Sequence, residues 1–190
     1  MELFEIVLAV FTGFWFFLPA YAANPTAVLF GGGRPVDGGR VCRDGRRMLG
    51  DGKTWPGTFG GIMCGIMLGL LASAIAWGFS IESLQFGEPL AALWACILLA
   101  TGSMAGDMLG SFIKRRGGRA RGAKTPILDQ YDFVIGGILF LLVGYPSWLF
   151  ENYWEGTGWL SLLTIIILTP ILHRAVNIAG YKMGKKDVPW

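Results

Sequence analysis

The sequence predicts an all-α integral membrane protein of five transmembrane helices, and three observations predict it. Of its 190 residues, 53% are hydrophobic and only 15% are charged, where a soluble domain carries about 25% charged residues. The apolar residues fall in runs long enough to supply the roughly 20 positions a helix needs to cross a bilayer. The charges are also partitioned. All 16 Lys and Arg sit in three polar segments, with the Asp residues in or beside them, while Glu2, Glu5, Glu82, Glu88, Glu151 and Glu155 lie in the alternate segments.

The expected spans, in chain order, are residues 3–22, 57–79, 89–113, 133–150 and 158–179. The first has the apolar run and the Ala20-Tyr21-Ala22 of a secretory leader. It opens on Glu2 and Glu5 without any Lys or Arg, so the positive n-region is missing and it is read as a span. In the second, Gly61, Gly65 and Gly69 recur every four residues, as do Gly102, Gly106 and Gly110 in the third. Each series lines one helix face and admits a neighbouring backbone. Trp148, Trp154 and Trp159 flank the ends of the last two spans as an aromatic belt would.

The basic segments follow spans one, three and five. The positive-inside rule therefore expects them in the cytoplasm, with the N-terminus outside and the C-terminus inside, where Lys182, Lys185 and Lys186 agree. The chain is expected to form one polytopic domain over residues 1–190, with cytosolic loops at about 24–56 and 114–130. Cys42 lies in a basic segment and Cys64 and Cys96 in apolar runs, and no Cys-x-x-Cys occurs. Neither a zinc site nor a disulfide framework is indicated.

Four features carry chemistry. Asp107 lies inside the third span, where a carboxylate costs about 2.5–3.5 kcal/mol to insert and so needs a partner or a watered cavity. Asp129 and Asp132 are three apart at the start of the fourth span and share a helix face. With Asp107 on a neighbouring helix they can supply oxygen ligands to Mg²⁺, although acids near a helix N-terminus also serve as caps. Lys114, Arg115, Arg116, Arg119, Arg121 and Lys124 suit anionic lipid heads and can also reach a polyphosphate.

The fourth feature is residues 31–53, where Arg34, Asp37, Arg40, Arg43, Asp44, Arg46, Arg47, Asp51 and Lys53 alternate with glycines. Glycine lets backbone amides crowd an anion, and Arg offers forked donors to phosphate. The Asp residues either hold those guanidiniums in place or bind base, ribose or metal. His173, followed by Arg174 and Asn177, is either a site residue or, the reading preferred, an interfacial polar residue. There is no Walker motif and no Ser–His–Asp or Cys–His arrangement for covalent catalysis. Nothing points to nucleic acid. The pattern fits direct phosphoryl or nucleotidyl transfer, which relies on positioning and charge neutralisation.

Several runs carry a resemblance to a known family. They are Val28-Leu-Phe-Gly-Gly-Gly, Arg43-Asp-Gly-Arg-Arg, Leu49-Gly-Asp-Gly-Lys-Thr-Trp, Gly106-Asp107 with Lys114-Arg115-Arg116, and Pro126-Ile-Leu-Asp-Gln-Tyr-Asp-Phe. In this order and membrane setting they resemble the CDP-archaeol synthase family, the archaeal branch of the CTP-dependent phosphatidate cytidylyltransferases. The resemblance implies transfer of CMP from CTP to an isoprenoid ether lipid phosphate, 2,3-bis-geranylgeranyl-glycerol 1-phosphate, with Mg²⁺ as cofactor and pyrophosphate as second product. It implies a multi-pass protein of the cell membrane with its active site facing the cytoplasm. Asp107, Asp129 and Asp132 match the acidic, metal-linked part of the pattern, and Lys114 and Arg115 its basic pair. Asp44, Arg46, Asp51 and Lys53, with Asp37 beside them, match the loop expected to help hold CTP. Gln130 stands where the bacterial and eukaryotic signature has Arg.

Two other classes compete. A CDP-alcohol phosphotransferase needs a long acidic pattern that Asp44-Gly45 begins but the following spacing does not continue. A transporter should line a path across the membrane with its acids, whereas Asp107 is the only carboxylate well inside an expected span.

Overall fold

The structure is a computed structural model that describes residues 2–119 and 123–184; Arg121, Lys185 and Lys186 lie outside the described residues. It contains α1 (Leu3–Phe16), α2 (Leu18–Leu29), α3 (Trp55–Gly78), a 3₁₀ turn (Glu82–Leu84), α4 (Pro89–Arg116), α5 (Pro126–Gly144), α6 (Pro146–Tyr153) and α7 (Gly158–Lys182). Among the described residues the extended structure consists of two isolated bridges, Pro35 with Thr54 and Val41 with Arg47.

Proline sets where most of these helices begin. Pro19, Pro56, Pro89, Pro126 and Pro146 each occupy the first or second position of a helix. There the missing N–H would have had no intrahelical partner in any case. The same property corrects two expected spans. The first is a pair of helices bent by 40°, because Pro19 cannot extend the hydrogen-bond ladder of α1 and the Phe17 N–H turns back to the Phe14 carbonyl at 3.1 Å. The helix then runs past residue 22 to Leu29, although hydropathy fades at Asn24-Pro25-Thr26. The glycine face of α3 holds it there: Gly61 lies against the Ala23 carbonyl and Gly65 against the Pro19 carbonyl. The fourth span starts at Pro126, earlier than expected, and ends at Gly144, since Pro146 opens a separate short helix. Asp129 and Asp132 therefore lie in the first two turns of α5.

Among the described residues four helices are long and apolar enough to cross a bilayer, and the bent pair α1–α2 passes the same test only when taken together, which makes up to five spans. α4 is the central one, in contact with α2, α3 and α5. Its Ser103 is fully buried and donates to the Ala20 carbonyl at 3.1 Å. The aromatic core gathers Phe16, Phe17, Phe86, Trp148 and Tyr153, with Phe16 and Phe86 edge to face at 5.0 Å between centroids. The outer face of α3 exposes Met63, Met67, Leu71 and Ile75 at a spacing of four, a lipid-facing stripe. All three cysteines are free thiols.

The expected close approach at Gly102, Gly106 and Gly110 is made by α5. A methyl at Gly106 would overlap the Asp132 carbonyl, and one at Gly136 would overlap the Gly102 carbonyl. The charge partition persists in three dimensions. At the N-terminal end of α7, Glu5, Glu151 and Glu155 line a cavity of about 260 Å³, while the Asp, Lys and Arg residues meet at the other end. We predict that Gly136→Val destabilises the protein by about 1–3 kcal/mol or more, as overpacking against backbone does. The check is thermal unfolding in detergent; an unchanged melting temperature would show that α4 and α5 are not held at this distance.

Candidate active site

At the end of the bundle where the basic segments meet lies a cavity of about 350 Å³ lined by residues of α1, α2, α3, α4, α5 and α7 and by Lys53 of the loop before α3. Lys53, Asp107, Asp129 and Asp132 all line it. Lys53 is the last loop residue before Thr54, whose Oγ1 caps α3 by accepting from the Gly57 N–H at 3.3 Å. The Lys53 ammonium forms an ion pair with Asp107 Oδ2. The intramembrane carboxylate of α4 thus finds its cation in the loop between α2 and α3.

The two acids of α5 behave differently. Asp129 accepts from the Thr125 N–H at 2.8 Å and the Thr125 hydroxyl at 3.0 Å, so it caps its own helix. It also holds Lys114 of α4 at 2.7 Å. Asp132 is buried; its Oδ1 accepts from the Phe133 N–H at 2.7 Å. Its Oδ2 has no hydrogen-bond partner among the described residues. That oxygen sits in the notch left by Gly110, where a methyl would overlap it. The glycine series of α4 therefore does more than let helices touch: it makes room for a carboxylate.

An unpartnered buried carboxylate oxygen is costly, and a hard divalent cation is a ligand that relieves it. The donor set fits such an ion, with three carboxylates from two helices facing one cavity. Among the described residues they do not form a preassembled metal-ligating cluster, and Asp107 and Asp129 each hold a lysine.

Residues 31–53 fold into a compact platform held by their own charges. Asp37 is its hub. Its buried carboxylate accepts from the Gly39 N–H at 3.0 Å, the Leu49 and Gly50 N–H groups, each at 3.0 Å, and the Arg47 guanidinium at 2.9 Å. Arg47 also reaches Asp51 at 2.7 Å. Asp44 accepts from the Arg46 N–H at 3.1 Å across the Asp-Gly-Arg turn, which Gly45 permits with a φ of 74°.

The platform is fastened to the end of α4 reciprocally. Arg116 pairs with Asp44 at 2.6 Å and donates to the Arg47 carbonyl at 2.6 Å, while Arg46 donates to the Arg116 carbonyl at 2.8 Å. In the structure the loop aspartates hold guanidiniums. Asp37, Asp44, Arg46 and Asp51 thus build the platform and do not line the cavity, and Lys53 is the residue of the segment that does. Lys114 reaches the site through Asp129, and Arg115 follows it in the last turn of α4.

Comparison with known proteins identifies the family. Residues 3–190 match the family model described as CarS-like CDP-archaeol synthase. The chain belongs to the CDP-archaeol synthase family. Relatives named CDP-archaeol synthase include one from Methanocorpusculum labreanum, 47% identical over 180 residues, and one from Methanosphaerula palustris, 49% identical over 173; each comparison covers 91% of this chain and 99% of the relative. A solved structure, described as an intramembrane enzyme for archaeal membrane lipid biosynthesis, is similar with a TM-score of 0.68 at 38% identity, covering 87% of this chain and 92% of that one. As a member of the CDP-archaeol synthase family the protein is a membrane enzyme, a CTP-dependent nucleotidyltransferase.

Two sets of residues were not singled out from the sequence as parts of the site. Arg47 and Arg116 lay inside basic runs, where nothing distinguishes a guanidinium that fastens a loop from one that meets a phosphate. His173 and Asn177 of α7 line the same cavity as the acids. Their signal was an i, i+4 polar pair in an apolar helix.

Burial opposes the Asp37 charge, but the Arg47 guanidinium and the three N–H groups outweigh it and hold the carboxyl far below the usual range. A depressed carboxyl contributes stability above its unfolded value of about 3.9, and that contribution is lost as pH falls toward the folded value. The platform should therefore hold through mildly acid conditions and loosen only in strong acid. Asp37→Asn removes the charge at every pH. We predict severalfold faster trypsin cleavage of the detergent-solubilised variant at Arg40, Arg43 and Arg46 at neutral pH. Wild-type cleavage rates in the variant would show that Asp37 is not the hub.

Proposed function

We propose that the cavity transfers CMP from CTP to 2,3-bis-geranylgeranyl-glycerol 1-phosphate, giving the CDP-lipid and pyrophosphate at the cytoplasmic face of the membrane. The observation that carries this reading is a single cavity with two kinds of wall. Lys53, Asp107, Asp129 and Asp132 suit phosphate and a cation, and Phe14, Leu18, Val28, Leu172 and Val176 suit isoprenoid chains. Burying such chains stabilises binding by roughly 25 cal/mol per Å².

An oxygen of the lipid phosphate attacks the α-phosphorus of CTP. The new P–O bond forms as the bond from the α-phosphorus to the bridging oxygen breaks, and pyrophosphate leaves with that electron pair. The lipid phosphate is already ionised, so the reaction requires no strong general base. Lys53 and Lys114 offer their ammonium charge to the phosphates, and the platform built on Asp37, Asp44, Arg46 and Asp51 keeps Lys53 in place. Arg115 adds charge at the end of α4. Asp107, Asp129 and Asp132 are the residues that would hold Mg²⁺, which when bound supplies charge neutralisation for the triphosphate. Fixed charges of this kind act where negative charge develops in the transition state.

The test is the purified protein with CTP, Mg²⁺ and the unsaturated archaetidic acid. CDP-lipid and pyrophosphate are expected in equal amounts, and chelation of the metal should stop both; the absence of either product overturns the reaction. Asp107→Asn, Asp129→Asn and Asp132→Asn should each lower turnover about a hundredfold or more, and Asp132→Asn, which breaks no ion pair of the structure, should keep an unfolding temperature near wild type. Full activity in any two of them would remove the metal-site assignment.

A further inference from the structure

We propose that His173, oriented by Asn177, binds the phosphate of the acceptor lipid, so that the last part of α7 is the wall of the site that recognises this substrate. The proposal rests on the cytidylyl transfer set out above and gives its second substrate a place.

The shape of α7 supports it. Up to Pro170 the helix is tied to its neighbours: Thr169 and the Tyr21 hydroxyl share a hydrogen bond at 2.9 Å, and the Tyr131 hydroxyl donates to the Ile166 carbonyl at 2.7 Å. Beyond Pro170, α7 contributes Leu172, His173, Val176 and Asn177 to the cavity. Positions i, i+1, i+4 and i+5 share one helix face, so polar and apolar side chains stand side by side along it. Asn177 is 2% exposed and its amide nitrogen lies 3.2 Å from each ring nitrogen of His173. A carboxamide is costly to bury without hydrogen bonds. Here it orients an imidazole on the wall of the cavity.

The charges that share the cavity say what this wall can take. Among the described residues the cavity is lined by three carboxylates and one ammonium. A phosphate approaching the acids is repelled unless donors hold it from another side. Imidazole and carboxamide N–H groups are such donors, and hydrogen bonds to an ionised acceptor are strong ones. α7 places no Lys or Arg in the cavity, so this wall lacks the charge a triphosphate calls for. A single phosphate attached to an apolar tail matches it, with Leu172 and Val176 beside the tail.

The experiment is steady-state kinetics with each substrate varied in turn, in mixed micelles. His173→Ala is expected to raise KM for the unsaturated archaetidic acid about ten- to a hundredfold and to leave KM for CTP within twofold. Asn177→Ala should raise the lipid KM less, and His173→Gln, which keeps an N–H donor, should recover part of the loss. A lipid KM within twofold of wild type in His173→Ala, or an equal rise in the KM for CTP, overturns the proposal. Binding of the same lipid, compared with its phosphate-free diether, to the detergent-solubilised protein decides the matter without turnover. His173→Ala must remove the phosphate-dependent part of the affinity, and its persistence sinks the assignment. A wild-type protein that binds the lipid but forms no CDP-lipid instead defeats the transfer reading and leaves the binding result to decide His173.

Discussion

A carboxylate carried into a bilayer must find a cation or water, and Asp107 finds Lys53. This ion pair joins the central helix α4 to the loop that precedes α3. Thr54, the next residue, caps α3, so the pair also bears on where α3 begins. α3 in turn receives α2 on its glycine face. A single charge inside the membrane therefore organises the loop, the helix that follows it and the cavity between them.

The other aspartates divide by what surrounds them. In the loop, water and arginine are both close, and Asp37, Asp44 and Asp51 are matched by Arg47 and Arg116. Their carboxylates are occupied in holding a shape. On α5, Asp132 Oδ2 has no hydrogen-bond partner among the described residues and sits beside Gly110. The platform's charges are mutually satisfied, whereas among the described residues Asp132 Oδ2 in the cavity is left without a hydrogen-bond partner. Placing the two side by side, fastened through Arg116, puts a rigid support next to a polar site, as preorganised electrostatic catalysis requires.

That the chain is a helical membrane protein, and that Asp107, Asp129 and Asp132 fall close together, was legible in the sequence, because hydropathy, charge and helical spacing are local properties. Asp107 stood out because a carboxylate in an apolar run has no local explanation. Other features were not legible. The bend at Phe17 depends on Pro19, but the persistence of α2 to Leu29 depends on α3. The glycine series announced close contact without saying that Asp132 would be the group admitted at Gly110. Asp44 and Arg46 matched a loop expected to hold CTP, and their partners proved to be in the loop and at the end of α4.

By itself the sequence determined that the chain lives in a membrane, which ends of its helices carry charge, and to which family its motifs belong. Only the tertiary structure decided which aspartates meet arginine, which meet lysine and which is left unpartnered. It also brought His173 and Asn177 of α7 to the same cavity as Lys53, more than a hundred residues away. The physical reason is that helical periodicity gives the face on which a side chain lies, whereas the partner of that face is set by whichever helix can come closest, and here glycine, proline and a single intramembrane charge made that choice.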